Sequence, residues 1–409
     1  MRSGSCGNGF RYAVRRSGKS VAYCSLSIGC GTRDEGSYPA GIAHFVEHTL
    51  FRGTQRKSAA VINGYLDRLG GELNAYTTKE EIVLHATVLK EDLWKAVKLL
   101  FELATEARFP DAAVETERGV VLDEIISYKD NPAEDIYDRF EGMLFQGHPL
   151  ETPILGTSAS VRKITPEMLR RFVAEKFTAD KMVLSVVADS DEERMEKQIL
   201  RLIDRLPLSS PSEPAPMPAR YVPAAVPFRK CVDKRHHEAN AVVGCTAPSL
   251  YEMPDRLAAS MLANILGGPA SNSLLNKELR EKRGWVYGIE CSYTQYADTG
   301  IMAISFGCDR PHTEACLQSV GKMLRQLQET AFSEQRLNAF RKQLLGQLAI
   351  SGESGEAQCL SMGKSMLAWG QIMTAEETRS ALEAITPAQL QAMAVRLFAP
   401  GRMSSLVYL

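Results

Sequence analysis

Short apolar runs with a period of two alternate along the chain with longer runs of period 3.6, the mark of strands interleaved with amphipathic helices. The run Val21–Ile28 predicts a strand, and a Gly-rich loop leads from it into a helix over about 39–51. A second helix near 59–69 follows, then strands at Glu72–Thr77 and 82–88, a helix over 91–107 and a buried strand at 182–187. Beyond residue 223 the order recurs: strand 241–247, helices 255–266 and 271–282, strands 287–296 and 300–308, helices 313–331 and 335–350. Connections between strands are short, so the sheets should be mostly antiparallel. The expected fold is α+β, with two similar domains, each a sheet covered by helices.

The stretch 207–223, PLSSPSEPAPMPARYVP, is too rich in Pro and Ser to continue a helix or a central strand and reads as an interdomain linker. It divides the 409 residues into an N-terminal domain, 1–206, and a C-terminal domain, 224–409. The two halves match at a shift of 215 positions, which sets Pro39 on Pro254, Ala43 on Ala258 and Gly53 on Gly268. At the same shift His44, Glu47 and His48 meet Ala259, Leu262 and Ala263. One copy bears polar side chains where the other bears apolar ones, as internal duplication followed by specialisation would leave.

Lys+Arg 48 against Asp+Glu 49 gives a formal charge of -1, which removes the electrostatic case for nucleic acid or an anionic membrane as partner. The nine cysteines form no C-x-x-C pair, and free thiols in a reducing compartment are expected. Met1 to Asn8 lacks the apolar core of a secretory leader, and no apolar stretch approaches the roughly 20 residues that span a bilayer. A cytoplasmic soluble protein is the resulting expectation.

The chemistry concentrates in H-F-V-E-H at 44–48. On a helix His44 and His48, four apart, share one face where both imidazoles can meet one ion, and Glu47 stands beside them. Two imidazoles leave a zinc site one protein ligand short, which a carboxylate can supply, and Glu47 is suited to take a proton from water in the open position. The order H-x-x-E-H inverts the commoner H-E-x-x-H. The bland reading is a half-buried helix that happens to bear two histidines. Downstream, ETERGVVLDEII places Glu117 and Glu124 two helical turns apart on one face amid Val120, Val121, Leu122 and Ile125. Carboxylates in such company need partners. Glu115 and Asp123 read as solvated.

The stretch GIAHFVEHTLFRGT (41–54) resembles the zinc helix of the pitrilysin or insulinase family of metallopeptidases, and ERGVVLDEI (117–125) resembles the segment supplying that family's third ligand. The resemblance runs from NGFRYAV (8–14) to SSLVYL at the C-terminus. It implies one Zn2+ per chain held by His44, His48 and Glu124, with Glu47 as general base and Glu117 as an accessory acid supporting a ligand. Through GGELNAYTTKEE (70–81) it implies a strand edge on which Asn74 and Ala75 contact substrate main chain, although Ile82 and Leu84 depart from the commoner pattern. Through LREKRGWVYG (279–288) it implies that Arg280 and Tyr287 bind the substrate carbonyl. His85, His148, His236, His237 and His312 have no metal-like spacing, and His148 reads as structural.

A chain of this length resembles half of the family's larger enzymes, so a homodimer is implied, or a heterodimer with a degenerate homologue. The expected function is zinc-dependent hydrolysis of unfolded oligopeptides, whether in processing or in scavenging. The alternatives are a non-catalytic subunit that binds peptides, and a module with structural zinc. The absence of cysteine near the cluster disfavours the latter. Two histidines and a glutamate do not alone distinguish zinc from manganese or cobalt.

Overall fold

The computed structural model describes residues 1–206, 208 and 227–409; apart from Leu208, the expected linker at 207–223 lies outside the described residues. The described residues form two compact units, one of 1–126, 152–206 and 350–373, the other of 127–151, 227–349 and 374–409.

The first unit is built on β1 (Arg2–Ser5), β2 (Arg11–Arg16), β3 (Val21–Ile28), β4 (Glu72–Thr77), β5 (Ile82–Leu89) and β6 (Met182–Ala188), in the spatial order β1-β2-β6-β3-β5-β4. Neighbours run antiparallel except β2 and β6, which are parallel. Every residue of β6 is buried, and both faces of the sheet around it are covered, which explains why β6 reads as a continuous apolar run. On one face the helix Leu93–Glu106 packs against β3 and β5, and the helix Ile42–Leu50 against β4. On the other the helix Gly355–Trp369 lies over β2, β3 and β6, with Cys359, Met362 and Met366 against Ala13, Val183 and Val187. The approach is close. The Cys359 thiol donates to the Ser185 carbonyl at 3.3 Å, and a Cβ added at Gly363 would lie 2.6 Å from Ser27 Oγ.

The second unit holds β7 (Arg229–Val232), β8 (Glu238–Ala247), β9 (Val286–Gln295), β10 (Gly300–Asp309) and β11 (Ser404–Tyr408) in the order β7-β11-β8-β10-β9. Only the β7–β11 pair is parallel. The helix Asp255–Gly267 packs on β9, and Pro387–Phe398 on that helix and on β8. The opposite face is closed by the helix Pro132–Leu144, whose Ile136, Phe140 and Leu144 join Val242, Ile301, Ala303, Leu406 and Tyr408 in one core.

The expected α+β class and the largely antiparallel sheets are therefore observed, but the expected cut into 1–206 and 224–409 is not the division into compact units. Each sheet takes one of its two covering layers from the other half of the chain: 350–373 belongs to the first unit and 127–151 to the second. Hydrophobic period marks a helix as having an apolar face without saying which sheet that face will cover.

Several elements differ from their expected bounds, three of them in helices. The helix expected over 39–51 starts at Ile42, because Gly41 has φ 87° and a Cβ there would sit 2.6 Å from the Leu155 carbonyl oxygen. The helix expected over 59–69 stops at Asn63 before Gly64, and a 3-10 turn, Asp67–Leu69, follows. Of 271–282, Asn276–Glu281 is helical, in the wider π form.

Residues 1–206 expressed alone should thus bind a hydrophobic dye such as ANS and resist cooperative melting, because the β2/β6/β3 face lacks its cover. In the full chain Gly363→Val should lower stability by about 1–3 kcal/mol through overpacking, measured by urea titration.

Candidate metal centre

The helix Ile42–Leu50 is short, and its position comes from burial: Ile42, Phe45, Val46 and Leu50 are fully enclosed, each worth about 1.5–3 kcal/mol. Its amino end is capped by Glu35, whose carboxylate accepts from the Gly41 amide at 3.0 Å and the Ala43 amide at 3.0 Å. Burial pushes the Glu35 carboxyl up to about 7, against the pull of those amides and of Lys79.

The opposing helix, Asp111–Asp130, buries Val114, Glu117, Val121 and Ile125, an i, i+3, i+7, i+11 stripe in which a glutamate holds a core position. Glu117 is 1% exposed. Its Oε2 lies 3.1 Å from His48 Nδ1, and the Arg52 guanidinium pairs with its other oxygen. Glu124, one face along and half-buried, brings Oε2 to 3.4 Å from His48 Nε2 and 3.7 Å from His44 Nε2. The two imidazole rings stand 4.6 Å apart, edge to face at 66°. Ligand atoms of His44, His48 and Glu124 all lie within 4.8 Å of one another, and among the described residues no other group of three or more His, Cys, Asp or Glu is so placed. Glu47, on the same helix, accepts from Thr77 Oγ1 at 2.6 Å through Oε2.

The electrostatics fit a cation. Burial, then the proximity of His48, holds His44 down to about 4. Burial also opposes protonation of His48, but the carboxylates of Glu124 and Glu117 beside it outweigh burial and raise that imidazole. The imidazole of His48 beside it lowers Glu124, and burial raises Glu47. Glu124 Oε2 is buried and makes no hydrogen bond, although two imidazole nitrogens face it. A buried carboxylate oxygen without a donor is costly. An ion bound by Nε2 of each histidine would satisfy it, while Glu117 keeps the proton of His48 on Nδ1 and so leaves Nε2 free to ligate.

The structure thus brings together His44, Glu47, His48, Glu117 and Glu124. Asn74 and Ala75 lie on β4, the edge strand, with Asn74 exposed and opposite His85 in the register. Arg280 is exposed at the end of the π-helical turn, and Tyr287 is 54% exposed on β9 with its hydroxyl donating to Asp309 at 2.6 Å. Both belong to the second unit. Glu115 and Asp123 are exposed. His148, half-buried, faces Asp298 at 3.0 Å. All nine cysteines are free; seven are buried, Cys6 is half-buried and Cys231 exposed. In the second unit Ala259, Leu262 and Ala263 are buried apolar residues where the first presents His44, Glu47 and His48.

Sequence reasoning missed Thr77, Arg52 and Glu35. Arg52 had a signal, standing four residues after His48 as His48 does after His44. Thr77 had a weaker one, closing the strand that bears Asn74 and Ala75. Glu35 reaches its helix across a loop, where no fixed spacing exists to be read.

Residues 11–158 match the insulinase family, peptidase family M16, and residues 163–344 match the peptidase M16 inactive domain. An uncharacterized zinc protease of Mycobacterium leprae is 31% identical over 375 residues, covering 90% of this chain and 83% of that protein. The uncharacterized zinc protease YmxG of Bacillus subtilis is 27% identical over 397 residues, covering 96% and 94%. Among solved structures, a protease from Helicobacter pylori superposes with a TM-score of 0.92 at 19% identity, covering 100% of this chain and 99% of that one. A peptidase M16 inactive domain from Pseudomonas fluorescens gives 0.88 at 19%, covering 100% and 97%. At such identities the structural likeness speaks to the fold. No helix among the described residues is long and apolar enough to cross a membrane.

Two measurements probe this geometry. Glu117→Gln should weaken zinc affinity by about 10–100-fold in competition with a chelating dye, because the proton of His48 loses its anionic acceptor. For the metal-free chain, His44 stays neutral in the native state down to about 4, whereas its unfolded value is 6.5. The unfolded chain therefore takes up the proton first. The stability due to a neutral His44 is fully present above pH 6.5 and is lost as pH falls toward 4. The fall in melting temperature across that window should be shallower in His44→Asn.

Proposed function

Because the chain belongs to the insulinase family of M16 peptidases, we propose that it is a zinc-dependent endopeptidase of unfolded oligopeptides. The observation that best supports this reading is the Glu124 oxygen, buried without a donor, facing the Nε2 atoms of His44 and His48. These three residues would hold one Zn2+ per chain, and a set without cysteine and short of four protein ligands suits an open catalytic site. The metal, when bound, supplies a Lewis acid that polarises the scissile carbonyl and acidifies a water.

The chain's own residues perform the rest. Glu47 takes a proton from the attacking water as its oxygen bonds to the carbonyl carbon, and later gives that proton to the amide nitrogen as the C–N bond breaks. Burial raises the Glu47 carboxyl above its ordinary value, a direction that suits a group which must both take and give the proton. Among the described residues β4 pairs with β5 alone, and the other edge of its backbone could accept an extended peptide along Asn74 and Ala75. Arg280 and Tyr287 are donors suited to a carbonyl oxygen that gains charge. The active assembly is a dimer, of two copies or with a degenerate homologue.

The match of 163–344 to an inactive domain accords with one metal group per chain and leaves a second reading, a peptide-binding subunit that awaits an active partner. Hydrolysis of a quenched fluorescent peptide by zinc-loaded wild type should fall by about 10²–10⁴ in Glu47→Gln at equal zinc content. Light scattering on the same sample should give the mass of two chains. Wild type that binds zinc and cleaves nothing would favour the subunit reading, and activity that survives complete zinc removal would sink the mechanism.

A further inference from the structure

We propose that Thr77 is the positioning residue for the general base, an inference that rests on the peptidase reading above. Among the described residues the Thr77 hydroxyl is the one group that hydrogen-bonds Glu47, donating to Oε2 at 2.6 Å. That length lies in the charge-assisted range for O–H···O⁻. A glutamate has three side-chain torsions, and without a partner its carboxylate would sample several directions. Fixing Oε2 leaves Oε1 as the oxygen that receives the water's proton. Threonine suits the task because β-branching stiffens χ1 and aims its single O–H donor.

The location adds a second consequence. Thr77 closes β4, opposite Ile82 in the register, and shares a strand face with Ala75, two residues earlier. The edge offered to an extended peptide therefore ends on the group that holds the base, so substrate backbone and base are referenced to one rigid strand. A substrate seated in register on β4 has its position relative to Glu47 set within three residues of Asn74. Loss of the Thr77 donor should leave docking intact and misplace the base, lowering kcat with little change in KM.

The experiment compares zinc-loaded wild type, Thr77→Val, Thr77→Ser and Glu47→Gln on one quenched peptide, with zinc content, kcat and KM measured for each. A crystal structure of metal-free Thr77→Val supplies a readout independent of turnover. The expected result is a kcat lowered about 10–100-fold in Thr77→Val with zinc content and KM near wild type. Thr77→Ser, which keeps the donor, should recover most of the loss, and the Glu47 carboxylate should leave its place in the Val crystal. Should the Val variant fail to fold, Thr77→Ala tests the same missing donor. Wild-type kcat in Thr77→Val while Glu47→Gln is dead overturns the role of Thr77 and leaves the peptidase reading standing. Full activity in Glu47→Gln overturns the base itself and both readings with it. If the wild type cleaves nothing, the crystal decides, and an unmoved Glu47 overturns the proposal.

Discussion

The first unit depends on keeping two imidazoles aimed and shielded from water, one helical turn apart. Burial alone would leave His44 and His48 without direction, and solvent alone would leave them mobile. The structure meets both demands with carboxylates that are themselves out of water. Glu117 sits in the apolar stripe of its helix, where desolvation would expel an unpaired charge, and is held there by His48 on one oxygen and Arg52 on the other. Glu35 holds the first amides of the histidine helix, and Thr77 holds Glu47. Each polar group is fixed by another polar group, with Ile42, Phe45, Val46 and Leu50 excluding water behind them.

How much of this was readable follows from the range of the interactions. The five-residue motif and the spacing of Glu117 from Glu124 are local consequences of the 3.6-residue period, and the structure assembles them as that period requires. The strands and helices that the period predicted have their places for the same reason, whereas Pro132–Leu144 and Gly355–Trp369 were not among them. What escaped depends on distance in sequence. Thr77 meets Glu47 from thirty residues away. The long helix Asp111–Asp130 lacks a clean apolar stripe because Glu117 takes one of its positions, so its extent is invisible to a hydrophobic pattern. The helix break at Gly64 and the start at Ile42 are backbone events that depend on glycine conformation more than on hydrophobicity.

The internal duplication is legible in the same physical terms. At positions 215 residues apart, one helix turns imidazoles and a carboxylate toward its partner helix, and the other fills the space with Ala259, Leu262 and Ala263. Once a copy lacks the metal group, buried carboxylates there would have nothing to balance them, and apolar packing is the stable replacement. The second unit keeps the sheet and its two helical layers while losing the ionisable set.

The helix exchange also sets a clock on synthesis. The last strand of the first sheet, β6, ends at Ala188, but the helix over that sheet's second face ends at Trp369. At about 5–20 residues per second the intervening chain takes roughly 10–40 s to leave the ribosome. During that interval the apolar face of Ala13, Val183 and Val187 has no permanent cover, and the nascent chain is a client for whatever holds such surfaces apart. Translation speed across the second half of the message, far from the codons for His44, Glu47 and His48, thereby sets how long that face stays bare.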